Sequence, residues 1–488
     1  MRVRRPGPTV GMQSPASPSL SPLGPVAYRG AVASTLMISV AGIRGIVGDS
    51  LTPPVVARFA AAFAAGLGEG PIVVGRDARR SGPMVLRAVA AGLTGAGRDV
   101  IDIGLATTPA TQVAVEELHA AGGVILTASH NPAQWNALKF LSSRGEFLDA
   151  ETGATVRRRY ESGDGLWTRF DRLGSESQEP RALDWHLERV LALPFIEVAA
   201  IRARKLKAVV DGCASVGGVA VPRLLRELGC DVVELDCEPN GQFTRELEPL
   251  PEHLGSLGRA VKEAHADFGI ALDPDADRAA FVDGGGVPLG EEYSLALAAQ
   301  VVLARQKGPV VTNLSTSRIL DAVCAHAGVP LHRTPVGEAH VVAGMRAHGA
   351  VVGGEGNGGV ILPAAHYGRD GLVAAALVCG ALAQGGTLRA LADGLPRLYM
   401  VKDKLARADE PWEVSAPRLR VAFPDHAVDA ADGLRLSLDE EWVHIRPSGT
   451  EPVVRVIAES PNETRTRELI ERARRALAVP AGSAGRAS

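Results

Sequence analysis

Three times along this chain, strand-length apolar runs alternate with helix-length amphipathic stretches and finish in a polar loop. That recurrence limits the folds open to it. The first unit reads PIVVGRD (71–77), PMVLRAVAAGLTGAG, DVIDIG and GGVILTA (122–128). The second reads KAVVDGC (207–213), a helical stretch through Leu228, DVVELD (231–236), a helical stretch near 252–265 and DFGIALD (267–273). The third reads PVVTNLS (309–315), helical stretches near 317–327 and 338–347, and AVVGGE (350–355). This alternation is the pattern of parallel α/β sheets. Ligands of open α/β sheets bind beyond the carboxyl ends of the strands. Chemistry is therefore expected in the loops near 129, 275 and 356. Beyond about residue 395, LRLSLDEEWVHIRPS and EPVVRVIAES read as antiparallel strands, followed by the helix NETRTRELIERARRALA. That is a smaller α+β domain.

At 488 residues the chain is too long for one core. Turn-rich stretches at GSESQEP, GGG (284–286) and GLP divide it into units of 37–175, 176–285, 286–394 and 395–478. Residues 1–36, rich in Pro, Ser and Gly, are expected to be a disordered extension or to precede a true start at Met37, and 479–488 a flexible tail. With 46% apolar and 22% charged residues, the chain can bury several cores and stay soluble. A net charge of −3 argues against nucleic acid as a partner. No apolar run reaches the ~18 residues of a bilayer span, so no membrane partner is expected, and the front lacks a secretory apolar core. Cys213, Cys230, Cys237, Cys324 and Cys379 are scattered, forming neither a disulfide framework nor a zinc cluster. They imply a reducing compartment, the cytoplasm.

DPDADR places Asp273, Asp275 and Asp277 two residues apart, with Arg278 beside them. On extended backbone such carboxylates share one side, and they repel unless a cation sits among them. A hard ion such as Mg²⁺ fits; the alternative is an exposed acidic turn. An EF-hand is excluded, because Arg278 and Gly284 stand where Gly and Glu would be needed.

Ser129 ends the apolar run in TASHNP. On extended backbone His130 points away from it, and the Gly-x-Ser-x-Gly elbow is absent, so a hydrolase serine is disfavoured. As a phosphoserine it would instead bring roughly −1.5 to −2 charge to a metal cluster. Lys139 offers an ammonium for acid–base work. A structural serine in a turn is the alternative.

VVGGEGNGGVIL fits G-x-G-x-x-G, but no helix opens on its last glycine. Glu355 and Asn357 on close-approach glycines suit sugar hydroxyls better, with a plain tight turn as the alternative. RPSGTEPVVR sets Ser448, Gly449 and Thr450 between Arg446 and Arg455, an anion-binding concavity flanked by guanidiniums. No Gly-Lys dipeptide exists to make a P-loop.

In this order the four loops resemble those of the α-D-phosphohexomutase family, and GIRGIVG (42–48) and GRDARRSG (75–82) are similar to two more of its signatures. The resemblance covers about residues 37–478. It implies an α/β fold of four domains around a central cleft, three similar mixed-sheet domains plus a smaller C-terminal one. It implies a phosphorylated Ser129 that, with Asp273, Asp275 and Asp277, holds one Mg²⁺. Arg44, His130, Lys139 and Arg278 would surround the transferring phosphoryl group. Glu355, Asn357 and Arg333 would meet the sugar, and Arg446, Ser448, Gly449, Thr450 and Arg455 the distal phosphate. RTPVGEAHV (333–341) resembles the phosphoglucosamine branch more than the phosphomannomutase/phosphoglucomutase one, although Asn357 replaces that branch's serine. The implied substrates are hexose or hexosamine phosphates, primed by glucosamine 1,6-bisphosphate or glucose 1,6-bisphosphate, on a monomer or homodimer. A metal-dependent phosphatase using Asp273, or a silent sugar-phosphate binder, are the rival classes.

Overall fold

The computed structural model describes residues 35–39, 42–406, 410–448 and 453–478. The expected extension and tail fall outside the described residues, apart from 35 and 36. Four sheets follow one another along the chain. The first has seven strands, in the order Met37–Ser39, Gly42–Ile46, Trp135–Ser142, Gly122–Leu126, Ile72–Arg76, Val100–Leu105 and Glu176–Gln178. The second has four strands, Ala279–Asp283, Phe268–Leu272, Lys207–Asp211 and Asp231–Leu235. The third orders Leu331–Thr334, Val310–Asn313, Val352–Glu355, Gly359–Leu362 and His366–Arg369. The fourth is wholly antiparallel, orders Tyr399–Ala406, Val453–Ser460, Glu441–Pro447, Leu434–Leu438 and Ala427–Asp429, and is covered by the helix Glu463–Ala478.

The first three sheets are mixed, as the family resemblance implies, rather than parallel throughout as the alternation alone suggests. Gly122–Leu126, Phe268–Leu272 and Val352–Glu355 each pair parallel on one side. On the other side each pairs antiparallel with the strand that follows its loop. The cause is loop length. A parallel neighbour needs a crossover of roughly a dozen residues, and loops this short can only turn back. Each chemistry-bearing loop is thus the tip of a hairpin pinned on both sides. The strand Glu176–Gln178 still belongs to the first sheet, beside Val100–Leu105.

The second and third sheets share one apolar core. It runs from Val210, Phe268 and Ile270 through the helix Glu292–Arg305 to Val352 and the helix Gly371–Ala383. The latter helix is apolar on every side, and its whole circumference is buried. Asp370 caps it by accepting from the amides of Leu372 (2.8 Å) and Val373 (3.1 Å). The other carboxylate oxygen of Asp370 lies 2.6 Å from His186 Nε2 and 3.0 Å from His366 Nε2, tying the helix Ala182–Leu191 to the third sheet. All five cysteines are free and buried. Among the described residues, no helix is long and apolar enough to cross a membrane.

Candidate active site

Ser129 is buried and its backbone is left-handed, φ +49°, not extended. A non-glycine residue in that region costs on the order of 1–3 kcal/mol and persists only where its surroundings impose it. Here they do. Arg79 donates to four carbonyls of the loop: Ser129 (2.5 Å), Asn131 (2.6 Å), Pro132 (2.8 Å) and Trp135 (3.0 Å). Asp77 pairs with Arg79 Nε at 3.0 Å and accepts from Thr127 Oγ1 at 2.6 Å. Thr127 Oγ1 in turn accepts from the Ser129 amide at 2.9 Å. The turn brings Ser129 Oγ within 3.4 Å of His130 Nδ1, closer than extended backbone allows. Burial and the guanidiniums of Arg278, Arg44 and Arg455 hold His130 well below the usual histidine value, which leaves it neutral.

Ser129 Oγ donates to Asp273 Oδ2 at 2.7 Å, across 144 residues of sequence. The acidic loop is also a turn, with Ala276 at φ +56°. Its three carboxylates therefore converge through a tight bend rather than through strand alternation. Their ligand atoms lie within 4.8 Å of one another, together with full burial. Burial and the neighbouring Asp275 and Asp277 push Asp273 well above the usual carboxyl range. Burial alone would raise Asp275 as well, but Lys139 and Thr108 outweigh it and hold that carboxyl low. Lys139 Nζ donates to Asp275 Oδ2 at 2.6 Å and Thr108 Oγ1 to the same oxygen at 2.7 Å. Asp275 Oδ1 and Asp277 Oδ1 are buried with no hydrogen-bond partner among the described residues. Buried, crowded, unsatisfied carboxylate oxygens are a donor set for a hard divalent cation, so the trio is a metal-binding group.

The other predicted residues distribute around this centre. Arg44, on the strand Gly42–Ile46, donates to the Asn131 side chain. Arg278 is 3.7 Å from Asp277 and 3.3 Å from Glu248. Glu355 Oε1 accepts from Asn313 (2.8 Å) and from the Gly337 amide (3.1 Å). Asn357 turns back on its own loop, 3.2 Å from the Gly359 amide. The glycine loop rests on the metal-loop sheet: the Ala279 amide donates to Gly358 O at 3.0 Å, and a Cβ at Gly358 would sit 2.6 Å from Ala279 O. Arg333 does not face these loops with a free fork. It donates to the carbonyls of Asn313 (3.0 Å) and Thr316 (2.9 Å) and to Asp321 (2.6 Å), bracing the backbone.

Arg446 and Arg455 are directly opposite one another on antiparallel strands. Like charges so placed are unfavourable unless an anion joins them. The Ser448 amide donates to Val453 O at 2.8 Å, closing the base of their loop. Gly449 and Thr450 lie outside the described residues. Sequence reasoning missed Asp77, Arg79, Thr108 and Arg369. In GRDARRSG, the opposite charges of Asp77 and Arg79, two residues apart just past a buried strand, are the available signal.

Residues 36–166 match phosphoglucomutase/phosphomannomutase alpha/beta/alpha domain I, 184–286 domain II, 290–399 domain III and 401–476 the C-terminal domain. A probable phosphoglucosamine mutase of Methanopyrus kandleri is 39% identical over 438 residues, 88% of this chain and 94% of that protein. A phosphoglucomutase/phosphomannomutase of Thermococcus kodakarensis is 36% identical, over 88% of this chain and 96% of that one. The solved phosphoglucomutase/phosphomannomutase family protein of Burkholderia thailandensis superposes with a TM-score of 0.80 at 28% identity, covering 91% and 97% of the two chains. Four such domains in sequence, with an acidic metal-binding group, define a phosphohexomutase architecture. The chain belongs to the phosphoglucomutase/phosphomannomutase family, the α-D-phosphohexomutases.

Proposed function

We propose that this phosphohexomutase interconverts glucosamine 6-phosphate and glucosamine 1-phosphate through a phosphoserine at Ser129 and a bound 1,6-bisphosphate. The observation that carries this reading is the 2.7 Å contact between Ser129 Oγ and Asp273, made by a loop held in a strained turn. Asp273, Asp275 and Asp277 would hold Mg²⁺, which neutralises charge on the transferring phosphoryl group. The sugar hydroxyl forms a new P–O bond and loses its proton while the P–Oγ bond breaks. Lys139, at the rim of the trio, can supply the proton that Oγ takes up and regain the one that the sugar hydroxyl gives up. His130, Arg44 and Arg278 line the same centre. Glu355 and Asn357 would orient the sugar, and Arg446, Ser448 and Arg455 would take the distal phosphate. A clamp of hydroxyl, amide and guanidinium groups accepts either phosphate of the bisphosphate, as re-phosphorylation of Ser129 requires. Glucosamine 1,6-bisphosphate or glucose 1,6-bisphosphate would prime the unphosphorylated serine.

Lys139→Met is expected to lower kcat by about 10²–10⁴-fold in a coupled assay, the range for removing a positioned acid–base group. A loss below about tenfold would remove Lys139 from proton transfer.

Glucosamine is favoured by the RTPVGEAHV segment and by relatives named as probable phosphoglucosamine mutases. Asn357 and the Thermococcus relative favour the second reading, mannose or glucose phosphates. Parallel kcat/KM measurements on the 6-phosphates of glucosamine, mannose and glucose separate them. The glucosamine reading expects the amino sugar to lead. A lead of tenfold or more for either neutral sugar overturns the sugar assignment and leaves the mutase intact.

A further inference from the structure

HYGRDG (366–371) ends the last strand of the third sheet, and its arginine is buried, 8% exposed. Arg369 Nη2 donates to Asp277 Oδ2 at 2.7 Å, and Nη1 donates to Glu355 Oε2 at 2.6 Å. Its Nε lies 2.9 Å from Glu338 Oε2, an ion-pair contact without hydrogen-bond alignment. One guanidinium thus meets an acid of the metal loop, an acid of the sugar loop and an acid of the segment 333–341. The far oxygen of Glu355 holds the Gly337 amide, and the adjacent Val336 amide donates to Asp432 in the fourth domain at 3.0 Å. Asp432 in turn stands 3.9 Å from Arg446. The contacts therefore run unbroken from the aspartate trio to the distal arginines, with Arg369 at the junction.

We propose that Arg369 is a positioning residue that links cation occupancy of the metal loop to the setting of Glu355 in the sugar loop. The proposal rests on the reading of those two loops given above. A divalent ion among the aspartates competes with Arg369 for Asp277 and repels its charge at close range. The guanidinium fork then belongs to Glu355 and Glu338 alone, which fixes Glu355 for the incoming sugar. By linkage, a sugar phosphate that engages Glu355 must alter cation affinity by the same factor.

The test is calorimetric titration of the full-length, unphosphorylated chain, first with Mg²⁺ and then with glucosamine 6-phosphate, with no turnover needed. Arg369→Met removes the competing charge, so Mg²⁺ is expected to bind about tenfold more tightly, while the sugar phosphate binds more weakly. A merely structural role would weaken both. Arg369→Lys keeps the charge without the fork. It should leave Mg²⁺ affinity within about twofold of the parent and still lose sugar-phosphate affinity. Mg²⁺ binding to Arg369→Met that is unchanged or weaker overturns the coupling. If that variant does not fold, undiminished sugar-phosphate affinity in Arg369→Lys overturns it instead, and diminished affinity with parental Mg²⁺ binding upholds it. A parent chain that takes up no Mg²⁺, whether or not Ser129 is phosphorylated, overturns the metal-loop reading and the coupling with it, whereas a parent that binds Mg²⁺ isolates any failure to Arg369.

Discussion

Ser129→Ala is expected to cut mutase turnover by about a thousandfold or more, with sugar-phosphate affinity close to the parent value. The serine oxygen is the group that the braced turn delivers to the aspartates, 2.7 Å from Asp273. Thr108 carries a second hydroxyl near the trio, but it is fully buried behind Asp275 and donates to it at 2.7 Å. It has no path to a sugar. The rival nucleophile is Asp273 itself, as in a metal-dependent phosphatase. Burial and two flanking carboxylates push that group well above the usual carboxyl range. A phosphatase would survive loss of the serine and release inorganic phosphate steadily. Coupled assays of isomerisation and phosphate release on the same Ser129→Ala preparation separate the two chemistries. Retained isomerisation would remove Ser129 from the mechanism.

Arg79→Met should be the most damaging change away from the transferring atoms. Arg79 is 1% exposed and Asp77 wholly buried. Deleting one partner of a buried ion pair leaves the other charge uncompensated and costs about 3–5 kcal/mol. Four loop carbonyls lose their donor in the same step, and with them goes the force that holds Ser129 in its left-handed turn. Denaturant unfolding should show the loss of stability. Turnover should fall even in the folded fraction, because Ser129 would relax away from Asp273. A variant with parental stability and activity would mean that the loop geometry is set elsewhere.

The loops were legible because each is local. An apolar run breaking into Ser129, three aspartates in six residues, and hydroxyls between two arginines announce themselves without knowledge of the fold. What was not legible depends on distance along the chain. Arg79 braces a carbonyl 50 residues later, Arg369 reaches Asp277 across 92, and Thr108 reaches Asp275 across 167. No periodicity reports such pairs. The shape of DPDADR was misjudged for a local reason. Its proline and aspartates are turn formers, and that preference outweighs an extended reading with period two. The helix Gly371–Ala383 escaped notice because it is apolar on all sides and shows no amphipathic period. That same uniformity is what lets it sit between two sheets and fuse their cores.

Intact-mass measurement of the purified chain, with fragmentation to place any modification, addresses the phosphoryl carrier most directly. One phosphoryl group is expected, on Ser129, kept through turnover with substrate and, once stripped by a phosphatase, restored by glucose 1,6-bisphosphate. A fully active chain that never carries phosphate at Ser129, or carries it at another residue, would contradict a phosphoserine mutase.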